Sequence, residues 1–370
     1  MANIGVVTFS NTYDNYGQVL QFIATKEYLA GRGHNVFLLR EEQKMKSIFF
    51  SWLRKKKEHL HSFIRKVSGD KREDSNLIFE QWAKIVKKNE KLHPRHFEEY
   101  RRTHFQIVDN SKKQLQVHNI DCLCIGSDQI WSFVSDFSFL GFGTDSMKRI
   151  SIAPSMGLVS MNEEKKVQIG HYLKRFNFIT TREKSGEKLC HEIGFMDAKR
   201  ILDPTLLIDA TIYDKYASEY SENGYLFVYL LGAESSINID DIISFANSHN
   251  LSIKYVASQG RTDYYADKIF ATVPEWIGLM KKARYVITNS FHGMALSVIY
   301  RKQFLVLPVI GPTSKMNERL YDFTETLGLS DRIYRKDLSE IFERIDYKKA
   351  ETEISANKYI LDGLMDKEGL

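Results

Sequence analysis

Short apolar segments alternate with amphipathic helical segments twice along this 370-residue chain. The first forty residues read as strand, loop, helix and strand, with IGVVTF and NVFLLR on either side of a helical segment that ends near Gly31 or Gly33. Further apolar strands follow at DCLCIG, RISIAPS, FNFITT and KRILD, and the alternation restarts at YLFVYLL after a linker around residues 210–221. Strands joined by helices form parallel sheets. The pattern therefore predicts an α/β fold with two doubly wound parallel-sheet domains.

Composition narrows the class of protein further. Of the residues, 43% are hydrophobic and 27% are charged, as in an ordinary globular protein, and no apolar run approaches the ~20 residues of a membrane span. The N-terminus MANIGVVTF has neither the basic region nor the cleavage site of a signal peptide, so we expect a cytoplasmic protein. The net charge of +5 suits anionic substrates and does not by itself indicate nucleic acid.

The two alternating halves set the predicted domain boundaries. Residues 1–212 form an N-terminal domain, and residues 213–345 form a C-terminal domain. Residues 346–370 read as a charged helical tail that packs back across the molecule. Residues 44–117 hold no convincing strand and much charge, so we expect a helical insertion at about that range within the N-terminal domain.

The insertion contains one unusual surface. The basic run Arg54–Lys57 lies beside Phe49, Phe50 and Trp52. Two interpretations remain open: the apolar side chains pack on their own domain, or the surface makes peripheral contact with anionic lipid at the inner face of the cell membrane. The sequence does not decide between them.

Sequence motifs for metals and common cofactors are absent. No histidine, cysteine or acidic residues have a recognisable metal-ligand spacing, and the three cysteines read as buried apolar filler. Neither the dinucleotide motif G-x-G-x-x-G nor the P-loop motif occurs in the first loop. We therefore predict no metal and no bound cofactor.

Polar clusters follow five of the apolar strands, and ligands of open α/β sheets bind at the carboxyl ends of strands. The clusters are Asp14-Asn15-Tyr16-Gly17, Gly126-Ser127-Asp128-Gln129, Thr181-Arg182-Glu183-Lys184-Ser185, Asp203-Pro204-Thr205 and Asn289-Ser290-Phe291-His292-Gly293. Each alone could be turn chemistry, because these residue types are common in turns. Since all five fall on the same sheet edge, together they predict a cleft.

The most informative cluster lies in Tyr285–Tyr300, where an apolar strand ends at Asn289-Ser290 and opens directly into a helix. N–H groups in the first turn of a helix have no internal partners and the helix dipole favours negative charge there, so this junction suits a phosphate or carboxylate. Gly293 would allow a close approach of the ligand, and His292 is placed to exchange a proton with it. The segment predicts an anion site with an acid–base group.

The other clusters leave alternatives open. The planar fork of Arg182 suits a carboxylate or phosphate, or alternatively a surface salt bridge with Glu183 or Glu187. Asp128 could act as a base or hydroxyl acceptor, or alternatively as a loop cap on the Gln129 or Ile130 N–H group. Asp203 precedes a proline, so we expect it to be a structural turn residue.

The segments TYDNYGQVLQ, GSDQIW, TREKSG, LDPTLL and NSFHG, in this order over roughly residues 4–330, resemble the polysaccharide pyruvyl transferase family. The resemblance implies two Rossmann-like domains in a glycosyltransferase-B-like arrangement. It also implies transfer of a pyruvyl group from phosphoenolpyruvate to two hydroxyls of a sugar, giving a cyclic ketal and phosphate. His292 matches the histidine proposed to act in catalysis in the family, and Arg182 matches the arginine expected to hold the donor. Relatives often have asparagine where this chain has Asp14, so the role of that residue stays open.

Residues and resemblance together give the predicted site. The catalytic candidates are His292 and Asp128; the donor-binding candidates are Arg182, Ser290, Asn289, Gly293 and Lys184; the acceptor or cleft candidates are Asp14, Asn15, Tyr16, Gly17, Ser127, Gln129 and Trp131. Among these, the aromatic side chains suit stacking on sugar rings and suit a core equally well. The expected partners are phosphoenolpyruvate and a saccharide or lipid-linked saccharide acceptor, without nucleic acid.

Two other functions remain open at this stage. One is a nucleotide-sugar-dependent glycosyltransferase of the same architecture, because a fold does not fix a function. The other is a non-catalytic saccharide-binding relative. The sequence does not reveal the acceptor sugar, the hydroxyls that are bridged, the ketal stereochemistry or the oligomeric state.

Overall fold

The N-terminal domain contains a five-stranded parallel sheet. Its strands are β1 (Asn3–Val7), β2 (Asn35–Arg40), β3 (Gln106–Asp109), β4 (Cys122–Ile125) and β5 (Lys148–Ser151). They lie in the order β3-β2-β1-β4-β5, with Val6 of β1 opposite Leu38 and Cys124. β4 is buried along its whole length, as expected of a parallel strand covered by helices on both faces.

The computed structural model describes residues 1–12, 15–42, 84, 87–232, 236–258, 261, 265–310 and 317–370. The helices with both ends described before residue 220 are α1 (Tyr16–Gly31), α2 (Phe97–His104), α3 (Lys112–Val117), α4 (Glu163–Leu173), α5 (Lys184–Ile193) and α6 (Ala210–Asp214), and residues 87–92 are also helical. The predicted strands FNFITT and KRILD shorten to β6 (Thr180–Thr181) and β7 (Lys199–Arg200), which pair with each other in parallel. A 3-10 turn, Pro204–Leu206, follows β7.

The expectation that residues 44–117 lack a strand is wrong. β3 and α3 lie inside that range, and β3 pairs with β2 so that Val108 is opposite Leu39. β3 lies at the edge of the sheet and only its Val108 is buried, so its apolar pattern is weak. The basic run Arg54–Lys57 and its apolar neighbours lie outside the described residues.

The C-terminal domain repeats the architecture with four parallel strands. These are β8 (Leu226–Tyr229), β9 (Ile253–Tyr255), β10 (Tyr285–Thr288) and β11 (Gln303–Val306), in the order β11-β10-β8-β9. The helices that follow or connect them are α7 (Ile239–Ser248), α8 (Val273–Lys282), α9 (Phe291–Ile299), α10 (Asn317–Leu327) and α11 (Lys348–Lys367). Among the described residues, no helix is both long and apolar enough to cross a membrane.

Contacts between the domains fix the position of α1. The Tyr16 hydroxyl donates to the Ala271 carbonyl at 2.6 Å, and its ring stacks on Trp276 with centroids 5.4 Å apart. At its other end the tail helix α11 returns to α1, where Asp362 accepts from Tyr28 and Arg32 at 2.7 and 3.1 Å. The expectation that the tail packs back across the molecule is confirmed, and α1 is held at both ends.

Candidate active site

Helix α9 begins directly after β10, as the sequence predicts. Ser290 is its N-cap, and its hydroxyl accepts from the Gly293 N–H group at 3.3 Å. The Ser290 N–H group is itself bonded to the Thr288 hydroxyl at 3.0 Å. The first-turn N–H groups of Phe291 and His292 have no partner inside the helix, so the helix start keeps the anion-binding character expected of it.

Asp203 lies at the centre of the polar cluster. Its Oδ1 accepts from the N–H and hydroxyl groups of Thr205 at 3.0 and 2.8 Å, which confirms the structural turn. Its Oδ2 accepts from the Ser127 hydroxyl at 2.5 Å and from Arg182 Nη1 at 3.0 Å, and lies 3.9 Å from His292 Nε2. One buried carboxylate therefore joins three of the predicted clusters.

Asp203 is held ionised by its neighbours. Burial raises the pKa of its carboxyl, but the charges of His292 and Arg182 and the hydrogen bonds from Ser127 and Thr205 outweigh burial and lower the pKa below its ordinary value. Of the two charged partners, Arg182 is the permanent one. Asp203 thus stays negative whichever state the imidazole adopts.

Arg182 is buried between two carboxylates. Its Nε donates to Glu183 Oε1 at 3.1 Å and its Nη1 to Asp203 Oδ2 at 3.0 Å, while its guanidinium lies 4.5 Å from the centre of the Phe291 ring. Burial lowers the pKa of Arg182, but the surrounding carboxylates, Glu183 first, outweigh burial and raise the pKa. The salt bridge with Glu183 is therefore present, although it is buried and does not lie on the surface.

His292 is 9% exposed and occupies the other side of Asp203. Burial lowers the pKa of the imidazole below its ordinary value. The negative charges of Asp203 and Asp128 raise the pKa and offset only part of the effect of burial, and the positive charges of Arg182 and Arg319 lower the pKa further. The imidazole is therefore neutral at neutral pH. An anion bound beside it would raise its pKa.

Three buried polar atoms of this cluster have no hydrogen-bond partner among the described residues: Arg182 Nη2, Glu183 Oε2 and His292 Nε2. Buried polar groups are normally paired, and a group left unpaired requires an explanation. Their concentration around one carboxylate indicates a place where a polar ligand completes the hydrogen bonding.

The start of α1, which belongs to the N-terminal domain, lies against this polar cluster. Asn15 caps this helix by accepting from the Gln18 N–H group at 3.4 Å. Gly17, in the first turn, lies directly against the imidazole: a Cβ placed there would be 2.2 Å from His292 Nδ1. The starts of α1 and α9 thus converge on His292 from the two domains, and Asp14 lies outside the described residues.

The GSDQ cluster supports the site from one side. Ser127 is fully buried and its hydroxyl donates to Asp203, so it is not open to a ligand in the cleft. Asp128 has φ +84° and its Oδ1 accepts from the Gln129 N–H group at 2.8 Å, so the cap that was one of its two alternatives is present. Among the described carboxylates it is Asp203, and not Asp128, that lies within ion-pair distance of His292.

Two residues of the NSFHG segment have structural contacts where ligand contacts were expected. The Asn289 side chain bonds both backbone groups of Leu231, accepting at 2.6 Å and donating at 2.9 Å, and so ties the ends of β10 and β8 together. A Cβ on Gly293 would be 2.5 Å from the Thr288 hydroxyl, so glycine is required by the packing of α9 on β10. This packing accounts for the glycine, and a close approach of a ligand at Gly293 stays a prediction.

Tyr16 and Trp131 are core residues. Tyr16 is fully buried between the domains, and Trp131 is 1% exposed and stacks on Phe139 with centroids 5.2 Å apart. Neither ring can stack on a sugar, and the alternative interpretation of both residues as core is the correct one.

A cavity of about 780 Å³ opens beside the cluster, within the range typical of ligand sites. Its lining includes Gln129, Glu183, Lys184 and Arg319. The Lys184 ammonium pairs with Glu325 at 3.0 Å and Asp322 at 3.4 Å at the rim. Arg319 has no hydrogen bond or ion pair to any described residue, and burial together with the charge of Arg182 lowers its pKa.

Sequence reasoning missed Arg319 and gave Asp203 too small a role. Arg319 belongs to none of the clusters that follow strands, since it lies within α10, and no local pattern marks it. Asp203 carried a signal, because LDPTLL was one of the segments on which the family resemblance rested. Its contacts to Ser127, Arg182 and His292 depend on residues 76, 21 and 89 positions away.

The fold and the site define a two-domain Rossmann-like α/β protein with a polar cluster at the junction of its sheets. The model of the family described as polysaccharide pyruvyl transferase matches residues 15–309, and the chain belongs to this family. The suspected resemblance is confirmed.

Comparison with solved structures gives the same fold at low identity. The UDP-GlcNAc 2-epimerase from Methanocaldococcus jannaschii is 10% identical, with a TM-score of 0.50 over 98% of this chain and 99% of that one. The UDP-GlcNAc 2-epimerase from Neisseria meningitidis, bound to UDP-GlcNAc, is 11% identical, with a TM-score of 0.48 over 99% of this chain and 100% of that one. No curated protein matches the sequence. The predicted glycosyltransferase-B-like pair of Rossmann-like domains is confirmed.

Proposed function

We propose that this chain transfers a pyruvyl group from phosphoenolpyruvate to two hydroxyls of a sugar, in a cell-surface polysaccharide or its lipid-linked precursor. Family membership supports the reaction class. The observation that carries the proposal is the pair of unpaired buried nitrogens, Arg182 Nη2 and His292 Nε2, beside the unpaired Arg319. A donor that carries both a phosphate and a carboxylate would supply acceptors for these arginines.

The donor would be held by four positive features. The starts of α1 and α9 favour an anion, and Arg182 offers Nη2 while its other side is held by Glu183 and Asp203. Because that side is occupied, Arg182 cannot act as the complete fork expected from the sequence. Arg319 supplies the second guanidinium, which is free to form a bidentate hydrogen-bonded pair with one anionic group.

The reaction needs two proton transfers that a histidine can perform. One acceptor hydroxyl loses its proton and its oxygen bonds to C2 of the donor, while the C3 methylene gains a proton and becomes a methyl group. The second hydroxyl then bonds to C2, the C2–phosphate bond breaks, and phosphate leaves with the second proton. The products are the ketal and inorganic phosphate, with no change in redox state.

His292 is the group assigned to the proton transfer. Its imidazole is neutral without a bound anion. A dianionic or trianionic donor would raise the pKa of the imidazole, which would then take up a proton. Asp203, ionised and 3.9 Å from Nε2, would stabilise the imidazolium. Asp128 is the weaker candidate for a second base, because one of its oxygens already caps Gln129.

Thermal stabilisation by the donor tests the binding half of the proposal. Phosphoenolpyruvate at 100 times its Kd should stabilise the protein by about 2.7 kcal/mol. Arg319→Gln should remove most of this stabilisation, because it removes the free guanidinium. Arg335→Gln is the matched control: Arg335 lines the same cavity, yet it is exposed and we assign it no donor contact. Equal stabilisation of both variants would contradict the role of Arg319.

Phosphate release tests the chemical half and separates the alternatives. Release from phosphoenolpyruvate should depend on a saccharide acceptor and fall by about 10²–10⁴-fold in His292→Asn, which keeps a hydrogen bond but cannot exchange a proton near neutral pH. A nucleotide-sugar glycosyltransferase would instead be stabilised by a nucleoside diphosphate and not by phosphoenolpyruvate. No release with a broad panel of acceptors, despite donor binding, would favour a non-catalytic saccharide-binding protein.

A further inference from the structure

Gly17 and His292 come from different domains and meet at the centre of the site. A Cβ built on Gly17 would lie 2.2 Å from Nδ1, 2.8 Å from Cε1 and 2.9 Å from Cγ of His292. All three of its nearest atoms therefore belong to the same imidazole ring. No side chain larger than that of glycine fits there while the ring keeps its position.

The backbone does not explain this glycine. Gly17 has no positive φ and lies in the first turn of α1, where alanine would favour the helix more than glycine does. At Gly31, at the other end of the same helix, an added Cβ would have no atom within 4 Å. Gly17 is thus buried against the imidazole, whereas Gly31 is exposed and has no neighbour in the way of a methyl group.

A side chain at Gly17 would move the ring and not the helix. The start of α1 is fixed by the Asn15 cap and by the bond from Tyr16 to the Ala271 carbonyl at 2.6 Å. The imidazole is the free end of a side chain, and its Nε2 has no hydrogen-bond partner among the described residues. The clash is therefore relieved by rotation of the ring away from α1, which changes its distance from Asp203.

We propose that Gly17 is a positioning residue for His292: the missing side chain leaves the space in which the imidazole lies between the start of α1 and Asp203. The catalytic consequence rests on the proposed proton transfer by His292, whereas the geometric coupling does not. This assigns to Gly17 a role in shaping the site from the opposite domain, in place of contact with an acceptor.

Gly17→Ala tests the proposal, with Gly31→Ala as the matched control in the same helix. Gly17→Ala should lower phosphate release about 10²-fold, as expected for a displaced reacting group, with folding retained. Gly31→Ala should leave release unchanged. Wild-type release in Gly17→Ala would overturn the proposal.

A double-mutant cycle separates ring displacement from damage to the helix. Gly17→Ala should lower the Tm of the protein with His292 present, and should leave the Tm unchanged or raised when combined with His292→Ala. An equal drop in Tm in both backgrounds would mean that the backbone, and not the imidazole, opposes the methyl group, which would also overturn the proposal.

The titration of His292 gives an independent readout. Because burial is the main cause that lowers its pKa, a displaced ring should titrate at a higher pH in Gly17→Ala than in the wild type, measured from the imidazole proton signals by NMR. An unchanged titration would count against displacement. If His292→Asn retains turnover, the proposed function fails while the Tm coupling between Gly17 and His292 still stands, so the two ideas fail separately.

Discussion

Replacing Asp203 with asparagine should destabilise the protein by about 3 kcal/mol, because it breaks a buried ion pair without changing the shape of the side chain. The asparagine would still accept from Thr205, but Arg182 would lose one of its two carboxylate partners. Breaking one side of a buried pair costs about 3–5 kcal/mol, and we expect the lower value because Glu183 still holds Nε. The folding equilibrium should shift by roughly 10²-fold.

Urea unfolding followed by tryptophan fluorescence measures the loss, since Trp131 and Trp276 lie in the cores of the two domains. Asp362→Asn is the matched control. Asp362 pairs with Arg32 at 3.1 Å but is partly exposed, so its loss should cost about 1 kcal/mol or less. If Asp203→Asn is no more destabilising than Asp362→Asn, the reasoning about the buried cluster is refuted.

For Asp203→Asn we also expect the loss of folding stability to depend on pH, in a direction set by the pKa of Asp203. The pKa of Asp203 is lowered in the folded protein, against the effect of burial, by His292, Arg182 and its hydrogen bonds. A carboxyl with a lowered pKa stabilises the fold above its unfolded pKa of about 3.9 and loses this contribution as pH falls through the folded pKa. The part of the stability gap between wild type and Asp203→Asn that comes from this carboxyl should therefore be constant from neutral pH to about pH 5 and shrink only below about pH 4.

Three further outcomes are expected. Arg182→Lys keeps the charge but cannot contact Glu183, Asp203 and a donor together, so separate titrations should show weaker donor binding with acceptor binding intact, along with a lower Tm. His292→Asn should lower turnover by about 10²–10⁴-fold. It should also reduce the loss of stability as pH falls below about 6.5, because a buried histidine with a lowered pKa resists protonation that the unfolded chain accepts. Neutralising Arg54–Lys57 should abolish sedimentation with anionic liposomes if that run contacts lipid, and unchanged sedimentation would exclude the contact.

The sequence by itself determined the order of strands and helices, because apolar periodicity is a local property of the chain. It also placed the start of α9 after β10, since Ser290 caps the helix through a contact only three residues long. The edge strand β3 escaped this reasoning. Only Val108 of Gln106–Asp109 is buried, so this short strand has almost no pattern to detect.

Only the tertiary structure decided which polar residues share a site and what each one does. The clusters follow strands of three different sheets and not one sheet edge, and the contacts among Gly17, Asp203 and His292 join residues that lie in different parts of the chain. Asn289 and Tyr16 have the residue types of ligand contacts, yet one ties two strands together and the other fills the core. Residue type fixes the chemistry that a side chain can perform, whereas burial and neighbours, set by the packing of distant segments, decide whether that chemistry meets a ligand.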